Sequence, residues 1–230
     1  MDNSKSSRVY GIFESISADY DKANTRISLG MEKGWKRMLT DRLCQLPTGA
    51  KVLDVCCGTG DIALEAARQR PDLQVTGVDF SPAMLHEAEQ KRGELGNAQF
   101  LLGDAMALPF ADNSFDAVCI SFGLRNTADY ETVLRQLHRV AKPSATVYCL
   151  DSFVPESAII KPFYRIYFRF LMPRIGGGKK HVQQYKWLYE STQTFLRPQQ
   201  LEQLYRTVGL TNLRTQRKLF GACVLVMGKK

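Results

Sequence analysis

The chain has 230 residues, 44% of them hydrophobic and 23% charged, which suits one soluble α/β domain with a small cap and excludes a disordered or fibrous chain. No uncharged apolar stretch reaches 18 residues, and the start, Met1-Asp2-Asn3-Ser4-Lys5, has no apolar segment, so neither a transmembrane helix nor an export signal is expected. The net charge of +8 is uneven: residues 1–150 sum to −2 and residues 151–230 to +10. Such a basic third can attract phosphate polymers or an anionic membrane surface, or simply keep the fold soluble.

Taken in chain order, Val9, Ile12, Phe13 and Ile16, then Trp35, Met38, Leu39, Leu43 and Leu46, recur at helical spacing, so residues 1–46 read as N-terminal helices. Pro47-Thr48-Gly49 ends them, and strands follow at Lys51–Val55, Gln74–Asp79, Ala98–Gly103, Phe115–Ser121 and Thr146–Asp151. Helices at about 61–69, 82–95 and 129–141 alternate with these strands, and Ser81-Pro82 is a good helix start. This alternation predicts a doubly wound, mostly parallel sheet, with residues 47–152 as its cofactor-binding core. Residues 153–197 change character: aromatics such as Phe163, Tyr164 and Tyr167 mix with Arg165 and Arg169, and Gly176-Gly177-Gly178-Lys179-Lys180 interrupts them. This segment reads as a helical, aromatic cap over the carboxyl edge of the sheet. A helix at Pro198–Val208 and an antiparallel edge hairpin, Asn212–Lys218 with Cys223–Met227, complete the unit over 198–230.

The six cysteines have no C-x-x-C spacing and several fall in strands, as in a reduced cytoplasmic protein. The three histidines are far apart in sequence, so no metal site is expected.

The chemistry concentrates at strand ends. Asp54 precedes the glycine turn Gly58-Thr59-Gly60, and Asp79 ends the next strand 19 residues after Gly60, where such sheets hold ribose hydroxyls. Ala63 stands where a dinucleotide site often has its third glycine, a tolerated change, so the glycines alone leave the nucleoside open. A carboxylate at Asp54 would repel a pyrophosphate but suits a cofactor that carries an ammonium. The third strand brings Asp104 and Ala105, with the carboxylate placed for an adenine amino group. The fourth brings Ser121 and the loop Phe122-Gly123-Leu124-Arg125-Asn126. The Asp-x-x-x-Gly-x-Gly pattern with a later acid resembles the S-adenosylmethionine site of class I methyltransferases. A structural glycine turn in some other α/β enzyme is the alternative.

Two further stretches are more specific. Phe-Gly-Leu-Arg-Asn at 122–126, preceded by Leu108-Pro109-Phe110-Ala111-Asp112-Asn113-Ser114-Phe115-Asp116, resembles the ubiquinone/menaquinone C-methyltransferase family. The opening Phe13-Glu14-Ser15-Ile16-Ser17-Ala18-Asp19-Tyr20-Asp21, with Asn24, Ser28-Leu29-Gly30 and Trp35, is similar to that family's first helices. The resemblance covers residues 9 to about 228. It implies a Rossmann-like class I fold, S-adenosyl-L-methionine as cofactor, and methyl transfer to a ring carbon of a prenylated quinol, most simply demethylmenaquinol. It also adds Tyr20 and Phe80 to the cofactor set, and assigns Asn126, Tyr164 and Tyr185 to the acceptor. Arg125, always cationic, is then the candidate catalytic group for stabilising a developing phenolate. A salt bridge from Arg125 to Asp116 or Asp129 is its structural alternative. No histidine base is evident, since His86 and His138 fall on predicted helices and His181 in the cap. A membrane-resident acceptor would also give the basic, aromatic residues 159–180 a transient peripheral contact with the membrane. A homodimer through the edge hairpin is a further expectation.

The chain departs from the family pattern at Lys142-Pro143-Ser144-Ala145, where a Gly-Gly turn is usual, and at Leu150-Asp151-Ser152, where Leu-Glu-Phe is usual. Tyr189 replaces a proline, and Phe220-Gly221-Ala222-Cys223 lacks a second glycine. These changes keep open a related enzyme acting on another aromatic acceptor at oxygen, nitrogen or carbon. A nucleic-acid methyltransferase is disfavoured, because no Asn-Pro-Pro-Tyr-type or catalytic cysteine motif is present. A non-catalytic binder of the cofactor is disfavoured by the complete loop at Arg125.

Overall fold

The computed structural model describes residues 3–172 and 182–230. Three N-terminal helices, α1 (Asn3–Ile16), α2 (Tyr20–Ile27) and α3 (Glu32–Leu43), precede strand β1 (Lys51–Val55). Then α4 (Asp61–Gln69), β2 (Gln74–Asp79), α5 (Pro82–Arg92), β3 (Ala98–Leu102), β4 (Phe115–Ser121), α6 (Tyr130–Val140) and β5 (Ala141–Ser152) alternate. The cap holds α7 (Ile160–Ile166), which continues through a π-helical turn at Tyr167–Leu171, and α8 (Val182–Thr194). Helix α9 (Pro198–Thr207) leads into β6 (Thr211–Lys218) and β7 (Cys223–Lys229).

The sheet order is β3-β2-β1-β4-β5-β7-β6, parallel through β5 and antiparallel at β7 and β6. Strand order reverses between β1 and β4, so the crevice that such sheets use for ligands opens beyond Val55 and Ser121. Side chains alternate along each strand. Leu53 and Val55 face one layer with Leu134 and Leu137 of α6 and Leu201 and Tyr205 of α9. Val52 and Cys119 face the other, with Leu39 and Leu43 of α3 and Ile62 and Ala66 of α4. The sheet is covered on both faces, which is why its central strands are nearly uninterrupted apolar runs.

Local signals explain the boundaries. The Ser81 hydroxyl accepts the Met84 N–H at 3.2 Å and Pro82 fills the first turn of α5. Asp129 caps α6 by accepting the N–H groups of Glu131 and Thr132. Strand β5 begins five residues before the expected Thr146, because Ala141 pairs with Phe115 ahead of a register shift. Within that irregular stretch Ser144 takes φ +67°, so the left-handed turn is made without the usual glycine.

The two turn glycines differ. Gly58 (φ +55°) has open space where a Cβ would stand, whereas at Gly60 (φ +80°) a Cβ would lie 2.7 Å from the Phe100 ring. Gly60 is therefore required by backbone conformation and by packing, and it does not line the ligand cavities described below. Gly58→Ala should cost about 1–2 kcal/mol for its left-handed backbone, and Gly60→Ala should cost more, about 2–4 kcal/mol, because overpacking adds to strain. Urea denaturation of the two variants should show that order.

Candidate active site

Two connected hollows lie over the crevice. The smaller, about 180 Å³, is lined by Asp79, Phe80, Asp104 and Ala105. The larger, about 420 Å³, is lined by Asp54, Thr59, Arg125 and Tyr164 among others. Tyr20, Gly58, Ser121 and Phe122 border both. The strand-end residues singled out from the sequence, Gly60 apart, thus surround one site with Arg125 and Tyr164, Asn126 lining its smaller hollow.

Asp54 is its most constrained group. It is 1% exposed; Oδ1 accepts from the Cys119 thiol at 3.5 Å, the Ala63 backbone N–H acts on the same carboxylate, and Oδ2 has no well-formed hydrogen bond. Burial pushes its carboxyl up to about 7, with the nearby Asp79 and Asp61 adding to the shift. Asp79 is also buried and raised by burial, but its two oxygens accept the N–H groups of Gly58 (2.9 Å) and Ser81 (3.0 Å). Those bonds tie the end of β2 to the glycine turn of β1. Asp104 is exposed and accepts the Met106 N–H at 2.9 Å, a turn that leaves its other oxygen toward the smaller hollow.

The N-terminal helices close this site from above. Thr59 donates to Asp21 at 2.7 Å, Lys91 pairs with Asp21 and with Asp61 (3.0 Å), and Lys36 pairs with Asp61. Burial would raise the Asp61 carboxyl, but Lys36 and Lys91 hold it below the usual carboxylate range. Glu14 of α1 accepts from the Ser81 hydroxyl (2.6 Å) and the Ala83 N–H (3.1 Å), completing the cap of α5. Lys36, Asp61 and Lys91 carried no signal in the sequence, since their partners lie 25 to 70 residues away, and Glu14 stood out only as part of the opening stretch, without its capping role.

Arg125 is held differently from either sequence alternative. Its guanidinium pairs with Asp151 and donates to the Phe122 carbonyl at 2.9 Å, and its backbone N–H approaches Asp151 at 3.3 Å. Asp116 pairs instead with Lys142, and Asp129 caps α6. Asp151 is fully buried and its carboxyl is raised by that burial, against the opposing pull of Arg125. Arg125 Nε has no partner and Arg125 lines the larger hollow. Asn126 lines the smaller hollow and not the larger; its amide nitrogen donates to the Phe122 carbonyl (3.2 Å) and its side-chain oxygen accepts from the Trp187 indole N–H (3.0 Å). It locks α8 onto the fourth-strand loop. The Tyr164 hydroxyl is buried beside Thr192 without a well-formed hydrogen bond, and burial raises its pKa. The side chain of Tyr185, the Gly176–Lys180 break and His181 lie outside the described residues. His86 is exposed and bonded to Gln90, and His138 packs under Gly209, so neither reaches the site.

The donor set fits S-adenosylmethionine. Asp54 offers an unpaired carboxylate to an ammonium, Asp79 and Asp104 offer acceptors to a ribose and an adenine, and the Phe80 ring borders the same hollow.

The whole chain, residues 1–230, matches the model of the ubiE/COQ5 methyltransferase family. A demethylmenaquinone methyltransferase of Geobacillus kaustophilus is 41% identical over 235 residues, covering 100% of both chains. One of Bacillus licheniformis is 44% identical over 216 residues, covering 93% of each. Among solved structures, a SAM-dependent methyltransferase of Thermotoga maritima aligns with a TM-score of 0.68 at 20% identity, covering 96% of this chain and 99% of that one. A phosphoethanolamine N-methyltransferase of Haemonchus contortus, solved with S-adenosyl-L-methionine, aligns at 0.60 and 22% identity, over 80% of this chain and 38% of that one. The chain belongs to the ubiE/COQ5 methyltransferase family.

The raised Asp54 gives a signed pH dependence. Its contribution to stability in the cofactor-free protein is fully present below about pH 4 and lost as pH rises through about 7. Asp54→Asn should therefore stabilise the cofactor-free protein above pH 7 by up to about 4 kcal/mol, the gap closing toward pH 4. The same variant should weaken S-adenosylmethionine binding about 100-fold or more, and wild-type affinity should rise between pH 6 and pH 8. Calorimetric titration and thermal melts at several pH values test both arms.

Arg125→Ala leaves the Asp151 charge buried and unpaired, a loss of about 3–5 kcal/mol at pH 8. That loss should shrink at pH 6, because an Asp151 without Arg125 takes up a proton more readily, and Asp151→Asn in the same chain should restore much of it.

Proposed function

We propose that this member of the ubiE/COQ5 methyltransferase family methylates a ring carbon of a prenylated quinol, in the first instance demethylmenaquinol, with S-adenosylmethionine as donor. The observation that carries the reading is the distribution of buried polar atoms without partners. Asp54 Oδ2, Ser121 Oγ, Arg125 Nε and the Tyr164 hydroxyl all belong to residues lining the larger hollow. Buried polar groups are otherwise nearly always satisfied. Four of the six such atoms among the described residues belong to the lining of one space, whose remaining wall is largely apolar and includes Ile27, Trp35, Phe122 and Phe168. This suits an aromatic ring bearing two oxygens and an apolar tail.

S-adenosylmethionine, when bound, supplies an electrophilic methyl group on a sulfonium. Asp54, Asp79 and Asp104 hold the ammonium, ribose and adenine ends, and Ser121 stands at the junction of the two hollows. Arg125 Nε–H donates to a quinol oxygen and favours its ionised form, which raises electron density on the adjacent ring carbon. Because Asp151 already neutralises much of the guanidinium, Arg125 acts as an oriented donor more than as a free charge. Tyr164 binds the second ring oxygen. The apolar wall excludes water, so these hydrogen bonds act at low dielectric and the ring is held in a single pose. The ring proton leaves after methylation to restore aromaticity, and no histidine among the described residues is placed to take it.

The relatives named above support this acceptor, as does the apolar volume beside Tyr164. Among the described residues no helix is long and apolar enough to cross a membrane. Peripheral contact through α7 is supported by its exposed Phe163 and Arg165, and a cytoplasmic location of the whole is part of the same reading. A homodimer through the hairpin is opposed by Arg214, Arg217 and Lys218 along the β6 edge, since edge cations resist strand pairing.

Reduced short-chain demethylmenaquinone and labelled S-adenosylmethionine should give a product carrying one added ring methyl, detected by mass spectrometry. Tyr164→Phe should lower kcat/KM for the quinol about tenfold, the worth of a hydrogen bond of about 1.4 kcal/mol, with cofactor affinity unchanged. Absence of transfer by a protein that binds the cofactor overturns the quinol reading.

A further inference from the structure

Most of the large hydrophobic side chains that the fold leaves exposed gather at one place, the rim of the larger hollow. Three elements separated in sequence supply them. The α2–α3 turn contributes Leu29 (65% exposed) and Met31, both lining the hollow. Helix α7 contributes Ile159, Phe163 (68%), Ile166 and Phe170, spaced i, i+4, i+7 and i+11, so they form one stripe along the helix and its π-turn. The β6–β7 turn contributes Leu219 and Phe220 (72%), which also line the hollow.

Each element has features of a surface that enters an apolar layer. Ile160, Tyr164 and Tyr167, about 100° further round α7, line the hollow, and Phe163 of the exposed stripe reaches its rim, so one broad apolar face runs from the hollow to the outside. Lys161, Arg165 and Arg169 occupy the remaining sector, beside the exposed stripe, as cations do on helices lying at a lipid interface. The β6–β7 turn places two bulky residues in succession in the left-handed region, Leu219 at φ +47° and Phe220 at φ +54°. This conformation costs an ordinary side chain about 1–2 kcal/mol each, and its result here is to hold both side chains outward in water. Exposed Arg214, Arg217 and Lys218 precede them. No acidic residue occurs between Glu156 and Glu190 or after Glu202.

We propose that the β6–β7 turn, Leu219-Phe220, is a lipid-inserting wedge that works with α7 and the α2–α3 turn to seat the mouth of the hollow in the acyl layer of an anionic membrane. A prenylated acceptor then passes from the bilayer to the cavity without its tail crossing water. The occupant follows from charge and shape: an uninterrupted run of cations beside an apolar ring complements anionic headgroups over hydrocarbon. The inference rests on the quinol reading only for the identity of what enters.

Vesicles of phosphatidylglycerol and phosphatidylcholine with brominated acyl chains test it, using full-length protein. Against the background of the two native tryptophans, F220W should gain a fluorescence component quenched by the bromines. L102W is the control, at an exposed position on the opposite edge strand β3, six strand spacings or about 29 Å away, and should gain none. Replacing Arg217 and Lys218 by Gln should weaken vesicle binding about 30-fold, from about 1 kcal/mol per cation near an anionic surface. Wild-type protein that ignores the vesicles, or bound F220W with no quenched component, overturns the proposal. Quenched F220W in a preparation that fails to methylate a short-chain quinol upholds the docking surface and overturns the acceptor reading instead.

Discussion

A carboxylate kept out of water with an unpaired oxygen is the constraint around which this site is organised. Asp54 sits on the central strand β1, between β2 and β4, beneath the first turn of α4. Among the described residues no cation pairs with it, although acids surround it: Asp79, Asp61 and Asp21 are all close to the glycine turn. Lys36 and Lys91 neutralise Asp61 and Asp21, and backbone N–H groups satisfy Asp79. What is left over is one acid, at one position, with weak neutral partners and no cation. A buried group in that state favours a cationic ligand strongly because water no longer competes for it. The N-terminal helices thus serve selection as well as closure, since Asp21, Lys36 and Glu14 all come from them.

The second buried charge is handled in the opposite way. Arg125 is paired before any ligand arrives, with Asp151 on the neighbouring strand β5. An unpaired guanidinium at that depth would be costly, and a paired one loses much of its field. Pairing through one terminal nitrogen leaves Nε free, so the group keeps a direction while giving up net charge. Asp151 also receives the Arg125 backbone N–H and the Ser152 N–H (2.7 Å), which fix it against the ends of β4 and β5.

The fold was legible wherever one local signal decided it. Strands β1, β2 and β4 stood out as apolar runs ending in acid, glycine or serine, and Ser81-Pro82 marked α5. Strand β5 was read short because Lys142-Pro143 looks like a break, whereas the sheet absorbs it as a register shift with Ser144 left-handed. In the site, Asp54, Asp79, Asp104 and Ser121 could be placed from the sequence because they lie in the last residues of β1, β2 and β4 or just beyond β3. The partner of Arg125 was not, since Asp116 and Asp129 are nearer in sequence and only the β4–β5 pairing, Ser121 beside Leu150, brings Asp151 close. The bond that the Trp187 indole makes to Asn126 was hidden for the same reason, since Trp187 is 61 residues away on α8. Gly60 was read as cofactor backbone, and only the position of Phe100 reveals its packing role.

The two halves of the site oppose each other in polarity, and each needs the other. The floor, at the carboxyl ends of β1 and β4, holds polar atoms without well-formed hydrogen bonds, which cost free energy while dry and are satisfied when a ligand arrives. The walls and rim, from α2, α7 and the β6–β7 turn, are largely apolar and keep water from that floor. Their outer surfaces, while they stand in solvent, carry a cost of apolar exposure of about 25 cal/mol per Å². Tyr167 joins the two sides, lining the hollow while its hydroxyl donates to the Ile27 carbonyl at the end of α2. That bond ties the end of α2 to the cap, so the polar floor and the apolar wall over it are held by one network and not by separate elements.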